Sequence, residues 1–145
     1  LMFKIFSNYT RFLKPLPFYR ISWNWVRYGV GKSIKGSKIF VLGLAYKKNV
    51  YDSRESPSFT IMELLMAKGA DVHYSDPHLP KAPKTRKFNY DLTSVELTVE
   101  NIKSFDLLLL LTNHDDFNYN LIEKYAKLLV DTRGKYKASE KVVTA

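Results

Sequence analysis

The sequence contains no cysteine, which excludes disulfides, thiolate metal sites and a thiol nucleophile within this chain. It also has no apolar run of the ~18 residues that a membrane-spanning helix needs. The longest strongly apolar stretch, Leu107 to Leu111, suits a buried strand. Residues 1–6 are too short and too poorly flanked for a signal peptide. We therefore expect a cytoplasmic protein with no membrane span.

Acidic residues are missing from residues 1–36, although this segment carries seven Lys or Arg residues. Of the formal net charge of +9, this segment therefore holds +7 and residues 37–145 hold only +2. The segment is also rich in aromatics and is interrupted by Pro15 and Pro17. We interpret it as a packing arm or connector, with a nucleic-acid or membrane-surface role as the alternative.

Short apolar runs alternate with helical patterns from Ser37 onward, which predicts an α/β fold with a Rossmann-like parallel sheet flanked by helices. Ser56 and Pro57 are typical of a helix start, and Gly69 of a helix end. A polar, exposed connection is expected over residues 81–90. The predicted strands are 38–44, 71–75, 106–112 and 128–131, with a candidate at 142–143, and the later predicted helices are 94–104 and 118–127.

A polar loop over residues 43–57 joins the first predicted strand to the first predicted helix. Ligands bind at this carboxyl end of strands in open parallel sheets. Lys47, Lys48 and Arg54 offer charge-assisted bonds to phosphate, and the helix start adds N–H donors. The small Gly43 lets a ligand or another backbone approach closely. No Gly-x-Gly-x-x-Gly or Walker motif is present, and an ordinary turn with solvated lysines remains an alternative.

Four motifs occur in an order that resembles a known enzyme family: GLAYKKNVYDSRESP, GADVHYSDPHLP, LLLLLTNHDDF and LVDTRG. Over residues 31–145 the chain is similar to the C-terminal domain of the UDP-glucose/GDP-mannose dehydrogenase family, and most similar to the branch that oxidises UDP-N-acetylhexosamines. The resemblance implies a nucleotide-sugar-binding domain over residues 37–145. Residues 1–36 depart from the central helix of the family, so they are expected to be a diverged or truncated connector.

The resemblance also implies roles for individual residues. Tyr46 and Lys47 match positions that reach the nucleotide-sugar, and Arg133 matches an arginine near the bound UDP-sugar. Arg54 matches an arginine that approaches NAD across the domain cleft. The structural alternatives are a salt bridge of Arg54 with a neighbouring acid and a surface pair of Arg133 with Asp131.

Other polar residues are expected to have structural roles. Asp76 and Pro77 match a turn of the family, and His114 is expected to be a hydrogen-bonded loop residue, with ligand contact as the alternative. His73 and His78 lack the surrounding ligands of a metal site, so no metal site is predicted.

The family oxidises its sugar substrate with NAD through a cysteine-linked intermediate, and both the cysteine and the NAD domain belong to the N-terminal half. No catalytic residue is therefore predicted in this chain, which is expected to be inactive alone. Its implied partners are a UDP-sugar, the NAD-binding domain of the parent enzyme and further subunits of a homo-oligomer. The competing hypotheses are a free-standing nucleotide-binding or regulatory module and a nucleic-acid binder that uses residues 1–36.

Overall fold

A five-stranded, fully parallel sheet in the order β2-β1-β3-β4-β5 forms the centre of the computed structural model. The structure describes residues 35–45, 47–49, 56–86 and 88–144. The predicted α/β fold with a Rossmann-like parallel sheet is confirmed. The strands are β1 Lys38–Leu42, β2 Asp71–Ser75, β3 Leu107–Leu110, β4 Leu129–Asp131 and β5 Val142–Thr144, and the helices are α1 Pro57–Ala67, α2 Val99–Ser104 and α3 Tyr119–Tyr125.

Two apolar layers cover the two faces of the sheet. Ile39 and Val41 of β1 pack in the layer that contains α1, whereas Phe40 and Leu42 pack in the layer that contains α2 and α3. The chain moves from β1 to β2 in one direction across the sheet and from β2 to β3 and β4 in the other. Because parallel crossovers keep one hand, this change of direction requires helices on opposite faces.

Helix α1 follows from local signals in the sequence. The Ser56 Oγ accepts the backbone N–H of Ser58 at 3.3 Å, and Pro57 occupies the first turn, where its missing N–H costs nothing. Gly69 follows the helix with φ +86°, a left-handed conformation that glycine adopts readily. Both predicted ends of this helix are confirmed.

Helix α2 begins later than the sequence suggests. A helix was expected over residues 94–104, but α2 starts at Val99. The Ser94 Oγ accepts the backbone N–H of Asp76 at 2.9 Å, and the N–H of Val95 donates to a carbonyl of β2 at 2.8 Å. These tertiary hydrogen bonds form in place of helical ones over residues 94–98, because they satisfy backbone groups at the sheet edge.

The connection over residues 81–90 is only partly exposed, which corrects the expectation from its basic composition. Ala82 and Phe88 are each 2% exposed and belong to the α1 layer. The Phe88 ring lies 4.9 Å from the Phe59 ring of α1, measured between centroids. Ala82 and Phe88 thus extend the core, whereas Lys81, Lys84 and Arg86 are exposed to solvent.

The predicted connector over residues 1–36 lies outside the described residues except for its last two positions. The domain boundary at residues 36 and 37 therefore stays a prediction. Among the helices of the described ranges, none combines the length and the apolar character needed to cross a membrane.

Candidate functional site

The carboxyl ends of β1 and β3 lie side by side in the middle of the sheet. The chain leaves β1 toward β2 on one side and leaves β3 toward β4 on the other. The loops after these two strands therefore diverge, which creates the crevice where ligands bind in open α/β sheets. Residues 43–56 follow β1, and residues 111–118 follow β3.

Gly43 allows the two loops to touch directly below this crevice. It has φ +90°, and a Cβ added there would lie 2.5 Å from the Thr112 Cβ and 2.7 Å from the Thr112 carbonyl oxygen. The Thr112 hydroxyl also donates to the Ala45 carbonyl at 2.8 Å. The close approach expected at Gly43 is thus made by another segment of backbone.

A buried carboxylate, Asp76, organises the loops that follow three strands. Its Oδ2 accepts the backbone N–H groups of Leu44 and Ala45 at 2.7 and 3.1 Å and lies 3.0 Å from the His114 Nε2, while its Oδ1 accepts the His78 N–H at 2.8 Å. Burial alone would raise the pKa of the Asp76 carboxyl, but the hydrogen bonds from His114, Leu44 and His78 outweigh burial and lower it. The structural role expected for Asp76 follows from these four donors.

His114 is fully buried and has a hydrogen-bond partner at each ring nitrogen. Its Nδ1 accepts the backbone N–H of Asn49 at 2.8 Å, and its Nε2 faces Asp76 at 3.0 Å. Because Nδ1 must accept, the proton of the neutral ring belongs on Nε2, from which it donates to the carboxylate. This arrangement supports the structural interpretation of His114 over ligand contact.

Asn49 joins the loop after β1 to the loop after β3 through its side chain. It has φ 60°, a conformation that asparagine tolerates better than most residues. Its Nδ2 donates to the Asp115 Oδ2 at 2.7 Å, and the Asp115 N–H donates back to its Oδ1 at 3.0 Å. The Lys48 Nζ lies 3.7 Å from the same carboxylate. The hydrogen bonds of Asn49 and the Lys48 ion pair lower the pKa of Asp115.

Arg133 follows β4 at the same edge of the sheet and reaches toward β3. Its backbone N–H donates to the Asp131 Oδ1 at 2.8 Å, and its Nε donates to the Leu111 carbonyl at 2.6 Å. The second oxygen of Asp131 accepts the Tyr136 N–H at 2.8 Å. Asp131 thus holds the backbone of this turn, and the exposed Arg133 side chain is oriented by a carbonyl of the neighbouring loop.

Two tyrosines connect the loops after β3 and β4. The Tyr119 hydroxyl donates to the His114 carbonyl at 2.5 Å, and the Tyr136 hydroxyl donates to the Tyr119 carbonyl at 2.8 Å. Burial, followed by the nearby carboxylates of Asp115 and Asp131, raises the pKa of Tyr119 to about 12. The hydroxyl therefore stays protonated and remains a donor at neutral pH.

Residues 40–138 match the model of the UDP-glucose/GDP-mannose dehydrogenase family, UDP binding domain. The chain belongs to this family. Two similar curated proteins are the UDP-N-acetyl-D-mannosamine dehydrogenase of Methanococcus vannielii, 33% identical over 70% of this chain, and the UDP-glucose 6-dehydrogenase of Rhizobium meliloti, 33% identical over 76%.

Solved structures show the same similarity. The UDP-N-acetyl-mannosamine dehydrogenase of Staphylococcus aureus superposes over 88% of this chain with a TM-score of 0.57 and 30% identity. This chain spans 29% of that structure, and it spans 23% and 26% of the two curated relatives. It therefore corresponds to the UDP-binding domain of dehydrogenases that are several times longer.

The four predicted site residues all lie within the part of this UDP-binding domain that matches the family, but the structure describes only two of them. Lys47 is exposed on the turn after β1, and Arg133 is exposed after β4. One strand separates β1 from β4, so their ends lie two strand spacings apart, roughly 10 Å. Tyr46 and Arg54 lie outside the described residues, and their roles stay predictions.

Two positions of this domain that sequence reasoning missed are Asn49 and Thr112. Asn49 is a turn-forming residue type in a polar loop, which was an available signal. Thr112 had no such signal, because its role depends on contact with Gly43 across the crevice. Within the described ranges, no group of three or more His, Cys, Asp or Glu residues is arranged to hold a metal ion.

Proposed function

We propose that this domain binds the UDP portion of a UDP-sugar, most specifically a UDP-N-acetylhexosamine, at the carboxyl edge of the sheet. Lys47 and Arg133 contact the anionic diphosphate, and Tyr46 contacts the nucleotide-sugar beside Lys47. The family match supports the nucleotide, and relatives named UDP-N-acetyl-D-mannosamine dehydrogenase support the type of sugar.

The observation that carries this proposal is the exposure of two cationic side chains at the carboxyl edge of the sheet. Asp76 accepts four hydrogen bonds within the fold, and Asp131 accepts two from the backbone of its own turn. Both carboxylates are buried, and the Lys47 and Arg133 side chains are exposed to solvent at the same edge of the sheet, where they can reach an anion. Arginine forks onto phosphate oxygens and lysine acts as a mobile point charge. An anionic ligand fits this distribution.

The proposed parent enzyme is an NAD-dependent UDP-sugar 6-dehydrogenase, in which this domain positions the substrate and another domain performs the oxidation. In such an enzyme Arg54 approaches NAD across the cleft, and subunits assemble into a homo-oligomer. The similarity to relatives named as dehydrogenases supports this assignment.

The position of Gly43, directly after the first strand, leaves no room for the pyrophosphate of a dinucleotide. In a dinucleotide-binding turn, glycines make room for the pyrophosphate. Here the space beside Gly43 is filled by Thr112. The NAD site is therefore proposed to belong to another domain, and the contribution of this chain is confined to the side chain of Arg54.

Thermal unfolding of this chain with added UDP or UDP-N-acetylglucosamine tests the proposed function. A ligand at 100 times its Kd that binds only the folded state stabilises that state by about 2.7 kcal/mol, which raises the Tm by ~5–10 °C for a domain of this size. Replacing Lys47 or Arg133 with alanine removes a charge-assisted contact and should weaken binding roughly 10- to 100-fold.

Lys127→Ala provides the matched control. Lys127 is an exposed lysine in the loop that precedes β4, at the opposite edge of the sheet, so this variant should keep the shift of the unsubstituted chain. Equal shifts in all three variants, or no shift in the unsubstituted chain, would contradict the proposed site.

A further inference from the structure

The turn that carries Lys47 is fixed to the loop after β3 by its neighbour Asn49. Three hydrogen bonds join Asn49 to this loop: its backbone N–H to the His114 Nδ1 at 2.8 Å, its Nδ2 to Asp115 at 2.7 Å, and the Asp115 N–H to its Oδ1 at 3.0 Å. All three bonds run from Asn49 to the adjacent residues His114 and Asp115, so the turn is held at a single place.

The acceptor for the backbone of Asn49 is itself immobilised. The His114 ring is fully buried and donates from Nε2 to Asp76, which leaves Nδ1 as an acceptor that points at the turn. Asp76 in turn binds Leu44 and Ala45 at the beginning of the same loop. The loop after β1 is thus held at its start by Asp76 and again at Asn49, with Lys47 between them.

The side-chain bonds of Asn49 contribute little to the stability of the fold. They are exposed, as is the ion pair between Lys48 and Asp115, whose side chains are 56% and 63% exposed. Exposed polar pairs typically add little to the free energy of unfolding. Their main consequence is geometric, because they select one conformation of a short polar turn whose alternatives would move Lys47.

We propose that Asn49 is a positioning residue, which acts through Lys47 by fixing its turn against Asp115 and His114 so that the ammonium group meets the anionic ligand. This inference rests on the proposed function. Asn49 itself uses its side-chain amide within the protein and does not contact the ligand. A turn ordered before binding avoids the entropic cost of ordering it on binding, which would otherwise weaken the affinity.

Calorimetric titration of the 145-residue chain with UDP tests this role through Asn49→Gly. Glycine accepts the positive φ of this position and keeps the backbone bond to His114 but removes both bonds to Asp115. We expect UDP to bind roughly tenfold more weakly, while the Tm without ligand changes by only a few degrees.

A second titration asks whether Asn49 acts through Lys47. In a Lys47→Ala background, Asn49→Gly should reduce affinity by no more than about twofold, because the side chain that it positions is gone. An equal loss in both backgrounds would overturn the proposal, as would unchanged affinity of Asn49→Gly. Absence of heat with the unsubstituted chain would instead overturn the proposed function.

Asp115 supplies a comparison in which charge is held constant. Asp115→Asn and Asp115→Ala both remove one negative charge near the anion site, but only asparagine retains an oxygen that can accept from the Asn49 Nδ2. Charge alone predicts equal affinities for the two variants. The positioning role predicts that Asp115→Ala binds UDP several-fold more weakly than Asp115→Asn, and the reverse order or equality would overturn it.

Discussion

At the scale of single residues, the crevice depends on a carboxylate that never reaches solvent. Asp76 is 1% exposed and receives hydrogen bonds from segments that follow β1, β2 and β3. An ionised carboxylate is suited to this place because it accepts at both oxygens, and charge-assisted bonds are stronger than neutral ones. The geometry of the candidate site is therefore tied to the protonation state of Asp76.

Asp76→Asn should lower the free energy of unfolding by about 2–4 kcal/mol at neutral pH, because one oxygen becomes an amide that faces N–H donors. The pKa of Asp76 lies below its ordinary value of 3.8 in the folded chain. Its ionised form therefore stabilises the fold above about pH 5, and this stabilisation is lost as the pH falls through 3.8 toward the folded pKa.

Melting temperatures measured between pH 7 and pH 3 check this prediction. The unsubstituted chain should lose stability in acid more steeply than Asp76→Asn, which has no such carboxyl to protonate. Asp91→Asn is the control, because the Asp91 side chain is 72% exposed and its Oδ1 lies 3.6 Å from the Nζ of the exposed Lys81. Parallel acid profiles for the unsubstituted chain and Asp76→Asn would contradict the assigned role.

Residue type and position in the sequence were enough to predict where two of the candidate residues lie, whereas their ligand contacts stay predictions. Lys47 and Arg133 follow strands β1 and β4 and are exposed at the predicted edge of the sheet. The contacts of His114 with Asn49 and Asp76 and the contact of Thr112 with Gly43 were not predictable, because they join residues that are 38 or more positions apart in the sequence. Such contacts are set by the packing of whole loops rather than by local patterns.

At the scale of secondary structure, elements with complete local signals were predicted well. Strand β2 has its predicted bounds, and α1 begins after its predicted cap. The sequence-based prediction extended helix α2 too far toward its N-terminus, because the apolar spacing continues through Val95. The backbone N–H of Val95 is bonded to β2 instead of to a helical carbonyl. Periodicity reports which side chains are buried, but it does not report whether the backbone is helical or extended around them.

The connection between β2 and α2 provides a test at this scale. Phe88→Ala should lower the free energy of unfolding by about 3–4 kcal/mol, the usual cost of removing a buried aromatic ring. Phe88 is 2% exposed and contacts Phe59, so its removal leaves a cavity beneath the connection.

Urea denaturation of Phe88→Ala and Tyr90→Ala measures this difference. Tyr90 lies two residues away and is 38% exposed, so its truncation should cost about 1 kcal/mol or less. If the two substitutions cost the same, the connection does not extend the core as described.

At the scale of the whole molecule, composition separates two parts of the chain. Residues 1–36 hold +7 of the formal charge of +9, whereas residues 37–145 are nearly balanced. The sheet, its helices and all described residues of the candidate site lie in the second part. Nucleotide binding and any binding of nucleic acid are therefore expected to depend on different parts of the sequence.

Deleting residues 1–34 tests this division. The remaining chain keeps both apolar layers between the sheet and its helices, so we expect cooperative unfolding and an affinity for UDP within about twofold of the full chain. If residues 1–36 are a packing arm or connector, the full chain should not bind single-stranded nucleic acid. A steeply salt-dependent affinity in the full chain that is lost in the shortened one would instead favour the nucleic-acid alternative, because cations that neutralise phosphates produce that dependence. Loss of UDP binding on deletion would show that the first 34 residues contribute to the nucleotide site, and would place the domain boundary earlier in the sequence.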